Sequence, residues 1–449
     1  MSFPRTQPIV KQVLMERTTQ SIQQPLGDHL VLRSVRDEQD IARCAAFVGK
    51  TMREISGITC ERILRHHPAV RYDDFLLVED EQRGAVVSTT CLIPWQCRFD
   101  NVTLDVAMLE VVATHPDYRK RGLIRTQIAA FHAAIEQQGF DLSIIEGIPY
   151  YYRQFGYAYA TDHWASDTLP VSRIPDGGAE SLAAVRLRRA TVADIPTLSR
   201  LYDATMAKPN LATLRDAGRW RYLLTAAEMP IYILEDLARN EVVGYISAWG
   251  LAGNNGIRIL ESGFSSAEWA LHFLRWCKTK SSGQLQLSWP QSSLLVQVGR
   301  SLGSTSTGAD QWLLRITDPV RLLTKLAPLF AQRLAASAWS HVTSEVTINL
   351  FRQAYQLRFA GGKLVAVDGV GFVDASMGAD GGDLCIPPDA FVRLVTGYRS
   401  LDQLVDAWPD IVVRPASRHL LNTLFPLCES YFWLPFLYVG QMPPAFPAA

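Results

Sequence analysis

The residues of this 449-residue chain that could do chemistry crowd into one segment. Arg119, Lys120, Arg121 and Arg125 stand almost side by side, with Gly122 among them. Upstream, Val106 to Thr114 is an apolar run closed by Pro116, which predicts a buried strand. Downstream, Gly122 to Gln138 carries Ile124, Ile128, Phe131 and Ile135 at helical spacing, and Gly139 is placed to end that helix. A strand that runs through a basic turn into a helix presents the free N–H groups of the first helical turn. The helix dipole adds positive charge at the same place. Gly122 lets backbone approach an anion closely, while the four cations neutralise it. The chemistry is that of a phosphate cradle. A solvated basic turn ahead of a surface helix has the same composition.

A second cluster follows in Tyr150-Tyr151-Tyr152-Arg153-Gln154-Phe155-Gly156-Tyr157. Phenols can donate protons, but packing is the ordinary use of such a run, and it is the reading preferred for Tyr150, Tyr151, Phe155 and Tyr157. His115 precedes a proline and His132 lies within the predicted helix; histidines so placed are more often structural than catalytic. Glu110, on the strand itself, is a further candidate base. No spacing suits a metal ion. The seven cysteines (44, 60, 91, 97, 277, 385 and 428) form no CxxC pair. They are expected as buried free thiols of a cytoplasmic protein.

The elements around this segment follow an α/β pattern. Leu30 to Arg33 reads as a short strand and Asp37 to Met52 as a helix. Phe75 to Asp80 and Ala85 to Thr90 read as paired strands around a polar turn at Glu81 to Gly84, and Leu142 to Ile145 as a buried strand. The pattern then recurs. Arg186 to Ile195 echoes Val31 to Ile41, and Ile231 to Asp236 echoes Phe75 to Asp80, each about 155 residues on, which predicts a duplicated unit. Pro170 to Ser181, with Pro175, Gly177 and Gly178, is the linker. From about Trp339 the texture becomes α+β. Short strands at Val342–Leu350, Tyr355–Phe359 and Lys363–Val367 turn at Gly361-Gly362; helices follow at Pro388–Thr396 and Leu401–Ala407, then a strand at Ile411–Arg414.

Length and composition set limits. A chain this long predicts about three domains. Lys plus Arg equals Asp plus Glu at 44 each, so no global field recruits nucleic acid or an anionic membrane. No stretch has the length of a membrane span, and Met1 to Gln24 has no signal-peptide core.

The segment at 111–125 resembles the pyrophosphate-binding motif of the GNAT superfamily of N-acetyltransferases, Gln/Arg-x-x-Gly-x-Gly/Ala, here Arg119-x-x-Gly122-x-Ile124. Ile124 replaces the final small residue. The resemblance implies that acetyl-CoA is the co-substrate, with its pyrophosphate on Arg119, Lys120, Arg121, Gly122, Leu123, Ile124 and Arg125. It implies that backbone of Val112, Ala113 and Thr114 pairs with the pantetheine arm. It also puts Tyr152 where a family tyrosine protonates the departing thiolate.

The layout of the chain is similar to that of the Eis (enhanced intracellular survival) acetyltransferases. That likeness implies an α/β (α+β) fold: two tandem GNAT-like domains followed by a sterol-carrier-like α+β domain. The last part rests on Gly361-Gly362-Lys363-Leu364, Val395 to Ser400 and Leu424-Phe425-Pro426. The expected divisions are an N-terminal extension at 1–28, a catalytic domain at 29–170, a degenerate second unit at 182–325, the carrier-like domain at 335–440, and a tail at 441–449. Two departures bear on function. The second unit runs from Ile257–Phe264 straight into a helix at Ala267 with no Arg-x-x-Gly loop, so it is expected to bind no CoA. The ending Met442 to Ala449 does not match the terminus whose carboxylate serves as base in Eis enzymes, so no base role is given to it.

The reading is an acetyl-CoA-dependent N-acetyltransferase acting by direct attack on a small-molecule primary amine. It is expected to have no metal, no nucleic-acid partner and no membrane span, and homo-oligomers are allowed. The rival is a non-catalytic acyl-CoA or lipid-binding protein with a vestigial acetyltransferase site.

Overall fold

The computed structural model describes residues 21–163, 165–178, 185–251, 256–288, 290–306, 308, 310–375, 381–433 and 445–446. Residues 1–20 of the expected extension, and all of the expected tail but Ala445 and Phe446, lie outside the described residues.

The first unit opens with β1 (Gln23–Gly27) and β2 (Leu30–Ser34), then α1 (Glu38–Thr51) and α2 (Glu54–His66). Next come β3 (Phe75–Asp80), β4 (Ala85–Phe99), β5 (Val102–Thr114), α3 (Leu123–Gln137), β6 (Leu142–Ile145) and β7 (Ala158–His163). The expected extension to residue 28 therefore includes a strand, because β1 pairs antiparallel with β2. The second unit comprises β8 (Ser166–Pro170), β9 (Val185–Arg189), α4 (Ile195–Met206), β10 (Leu211–Thr213), α5 (Ala217–Thr225), β11 (Ile231–Asp236), β12 (Glu241–Leu251) and β13 (Gly256–Phe264). It continues through α6 (Ala267–Lys280), β14 (Gln284–Ser288), α7 (Leu294–Ser301), β15 (Thr305–Ser306) and β16 (Asp310–Ile316). The last unit has α8 (Pro319–Lys325), α9 (Ala327–Ala335), β17 (Ser344–Asn349), β18 (Ala354–Ala360) and β19 (Lys363–Gly371). It ends with β20 (Leu384–Cys385), α10 (Pro388–Val395), α11 (Leu401–Ala407), β21 (Val412–Val413), α12 (Arg418–Leu424) and β22 (Ser430–Tyr431).

The sequence reading has no element where α2 stands. Its run Ile55 to Thr59 is rich in weak helix formers, so tertiary packing decides the conformation. Gly57 shows how: a Cβ there would lie 2.6 Å from the Ala45 carbonyl of α1.

Three sheets form. The first runs β1-β2-β3-β4-β5-β6-β16-β7, with β10 and β22 added beyond β4; the second runs β15-β8-β14-β13-β12-β11-β9; the third runs β19-β18-β17-β20-β21. The order contains an exchange. β16, from the second half, inserts between β6 and β7, while β8 leaves the first half to pair with β14 and β15. The sheets thus do not follow the expected spans 29–170 and 182–325. The second unit lends β10 and β16 to the first sheet, which leaves fewer unpaired edges for water to satisfy.

The duplication is visible in side chains as well as order. Arg33 binds Asp40 through both terminal nitrogens, at 2.6 and 2.8 Å, and donates from Nε to Glu79 at 2.7 Å. Arg188 binds Asp194 at 2.9 and 2.8 Å and donates from Nε to Glu235 at 2.7 Å. Both arginines sit on the strand that opens the echoed segment. Removing one member of such a pair strands a charge and costs about 3–5 kcal/mol where burial is deep, so the whole set persists or goes together.

The last unit docks on β7, where Arg393 Nε donates to the Tyr159 carbonyl at 2.9 Å and Thr396 Oγ1 to that of Ala160 at 3.2 Å. One continuous core joins α1 and α2, the first sheet, α8, α9 and the third sheet.

Candidate functional site

β4 and β5 pair in register from Phe99↔Val102 to Cys91↔Glu110, then shift so that Thr89 faces Ala113 and Ser88 faces Thr114. The extra residue is accommodated at Val111, whose φ is +52°. A β-branched residue in the left-handed region costs about 1–3 kcal/mol, so its surroundings must hold it there. Thr89 Oγ1 donates to the Val111 carbonyl and Ser88 Oγ to that of Ala113, each at 2.9 Å. On its other side β5 pairs with β6 only over Val106–Met108 against Leu142–Ile144. Past Met108 that pairing ends, and among the described residues no strand pairs with β5 on this side at Val112, Ala113 and Thr114.

β5 leads into the basic turn. His115 Nδ1 accepts from the Asp117 N–H at 3.3 Å, capping a short 3-10 turn at Pro116–Tyr118. Tyr118 is buried and donates to Asp80 Oδ2 at 2.5 Å. Lys120 and Gly122 both take positive φ, +63° and +78°. Gly122 is the N-cap of α3 and supplies no side-chain cap, so the N–H groups of the first turn stay open to a ligand. A Cβ at Gly122 would meet nothing within 4 Å. Arg119, Lys120, Arg121 and Arg125 are exposed, and Arg125 donates to Gln154 Oε1 at 2.9 Å. Leu123 and Ile124 pack inward and fix the helix, together with buried Gln127, which meets Ser88 Oγ at 2.6 Å and the Leu76 carbonyl at 3.3 Å.

A 3-10 turn at Tyr151–Phe155 brings Tyr152 into the core cluster against which Val112 packs. Tyr152 is 4% exposed and Tyr151 38%. A Cβ on Gly147 would lie 2.2 Å from the Tyr152 ring, so only glycine admits the ring there. Burial and the Glu110 charge push the Tyr152 phenol well above its usual range, which keeps it protonated. Glu110 is half-buried. Burial, then the charge of Glu146, pushes its carboxyl up to about 8. Glu146 was not foreseen. It follows directly on β6, close enough for its charge to act on Glu110. Its only sequence signal was its place directly after the Leu142–Ile145 strand.

The two histidines have structural partners. His132 Nε2 lies 3.3 Å from the Tyr157 hydroxyl, which also meets Ser143 Oγ at 2.7 Å. Burial lowers His132 to about 4, so the ring is neutral at ordinary pH.

The second unit has a bulge between β12 and β13 and parallel pairing of β13 with β14, as in the first. Its helix start and strand differ from those of the first. Ser266 caps α6 by accepting from the Trp269 N–H, where the first unit has bare Gly122. On β13, Glu261 makes a fully buried two-point pair with Arg215 at 2.8 and 2.7 Å and accepts from the Tyr245 hydroxyl. Tyr431 and Trp433, from the end of the chain, complete that core.

Residues 36–160 match the family model described as an acetyltransferase (GNAT) domain. Over those residues the chain is similar to GNAT acetyltransferases. The match begins after β2, spans the basic turn and ends within β7. In fold, the chain is similar to a GCN5-related N-acetyltransferase from Anabaena variabilis, with a TM-score of 0.68 at 16% identity, over 90% of this chain and 99% of that one. It is similar to a conserved protein of Enterococcus faecalis described as a probable N-acyltransferase, with a TM-score of 0.68 at 15% identity over 90% and 98%. It is also similar to Eis1 from Mycobacterium abscessus, with a TM-score of 0.60 at 15% identity over 89% and 98%. No curated protein matches the chain in sequence. Among the described residues no helix is long and apolar enough to cross a membrane, and no His, Cys, Asp or Glu group is arranged to hold a metal ion.

Proposed function

We propose that the protein is an acetyl-CoA-dependent N-acetyltransferase that acetylates a small-molecule primary amine by direct attack, with Tyr152 as general acid. The observation that carries this reading is the side of β5 left without a strand partner at Val112–Thr114, leading to an uncapped helix start at Gly122 under four cations. Arg119, Lys120, Arg121 and Arg125, with the first-turn N–H groups of Leu123 and Ile124, would hold the pyrophosphate. Acetyl-CoA supplies an acyl thioester. Tyr152 holds a proton at its hydroxyl for the departing thiolate, and Glu110 takes the proton of the attacking amine. The proposed layout of the chain is this catalytic unit, a second GNAT-like unit that binds no CoA, and a sterol-carrier-like last unit. Capping by Ser266 and the Arg215–Glu261 pair support the silence of the second unit. The test is release of free thiol from acetyl-CoA across an amine library. Absence of amine-dependent thiol, with tight fatty-acid or sterol binding, would favour the rival reading of a lipid-binding protein.

Two outcomes follow. Calorimetry with acetyl-CoA is expected to give one site per chain; two sites would overturn the account of the second unit. A carboxylate acts as base only when ionised, and Glu110 ionises as pH rises through about 8. kcat/KM should therefore climb about tenfold per pH unit below that point and flatten above it. The acceptor's own ammonium adds a further rise at higher pH. Glu110→Gln should remove the limb near 8, keep the substrate's, and lower kcat/KM by ~10²-fold. An unchanged profile in that variant would exclude Glu110 as base.

A further inference from the structure

We infer that Arg83, in the turn between β3 and β4, forms with Arg121 a second phosphate site that receives the 3′-phosphate of the CoA nucleotide. This rests on the acetyl-CoA reading above and deepens it. The geometry is a shared base plate. The Tyr118 ring is 5% exposed, and its hydroxyl is fixed on Asp80. The Arg121 guanidinium lies 5.0 Å from the centroid of that ring and the Arg83 guanidinium 5.9 Å. Arg83 also donates to the Tyr118 hydroxyl. Two cations from distant segments are thus gathered on one ring beside the pyrophosphate turn.

Their charge is not matched by the protein. Arg119, Lys120 and Arg121 make no ion pair among the described residues; Arg83 faces buried Asp80, 3.7 Å away and already held by the Tyr118 hydroxyl, and feels the exposed Asp117 carboxylate more weakly, which leaves an excess of positive charge. Holding five like charges on one face is unfavourable until anions arrive, and the pyrophosphate accounts for two negative charges. A phosphomonoester carries ~1.5–2 more at neutral pH and three acceptor oxygens, the complement of two arginine forks. The CoA nucleotide bears such a monoester on the ribose next to its diphosphate. The competing account is that Arg83 merely packs the hairpin turn against Tyr118.

The two accounts separate in a comparison of CoA with 3′-dephospho-CoA, titrated calorimetrically into the full-length chain. Wild type is expected to prefer CoA by about tenfold at low salt, with the preference shrinking as salt is added. Arg83→Ala should erase that preference while leaving the affinity for 3′-dephospho-CoA unchanged, and Arg83→Lys should restore part of it. The Arg83 side chain is largely exposed, so the variants should melt like wild type. Equal loss for both ligands in Arg83→Ala, or a preference that survives it, overturns the 3′-phosphate site alone. Wild type that binds neither ligand overturns the acetyl-CoA reading with it.

Discussion

Gly122→Asp is expected to abolish CoA binding in a protein that still folds. The backbone at Gly122 has φ +78°, a conformation that aspartate tolerates better than most residues, at about 1 kcal/mol. No atom lies within 4 Å of the new Cβ, so nothing has to move. What changes is the helix start. A carboxylate at residue 122 would stand beside the first-turn N–H groups that a phosphate would otherwise take. A fixed negative charge would also repel the pyrophosphate from the basic turn. The measurements are thermal unfolding, expected near wild type, and CoA affinity, expected to fall by more than ~10². Wild-type affinity in this variant would remove the pyrophosphate from Gly122.

Tyr152→Phe should separate chemistry from binding. The ring sits among Tyr151, Phe155 and Tyr157, with centroids 5.0, 6.4 and 6.2 Å away, and phenylalanine keeps all of these contacts. Acetyl-CoA affinity should therefore stay nearly constant. Turnover should fall by ~10²–10⁴, the usual worth of a positioned acid. Tyr151→Phe is the control. Its ring stands at the surface, and losing that hydroxyl should change little. If Tyr151→Phe is instead the damaging change, the acid role belongs one residue earlier. If Tyr152→Phe weakens binding and spares turnover, the hydroxyl is a ligand contact.

Local sequence carried much of the first unit. The basic turn, the helix from Leu123 and its end near Gly139 are written in residues that are neighbours in the chain, where glycine conformation and helical spacing act without tertiary help. The echo was legible too: Arg33 and Arg188 stand at matching places in echoed strands, and each binds one aspartate and one glutamate. Domain boundaries were not. The exchange of β8 and β16 depends on which sheet edge is open after folding, and no local pattern distinguishes one edge from another.

The finer structure of the site also waited for tertiary contacts. Val111 is an ordinary strand residue by composition; the left-handed bulge it adopts exists because Thr89 and Ser88, on the neighbouring strand, hold the carbonyls around it. Glu110 was a candidate by residue type alone. It takes its raised pKa from burial and from Glu146, which reaches it only through the parallel pairing of β5 with β6. Arg83 reads as a surface residue of a turn until Tyr118 packs beside it. Near the end of the chain, Phe446 lodges between Tyr232 and Trp276 of the second unit, at 5.1 and 4.8 Å between centroids. Residue types and near-neighbour spacing determined which groups could bind a phosphate or move a proton. Which of them meet was decided by folding, because register and burial act between residues far apart in the chain, and no short window of sequence contains both partners.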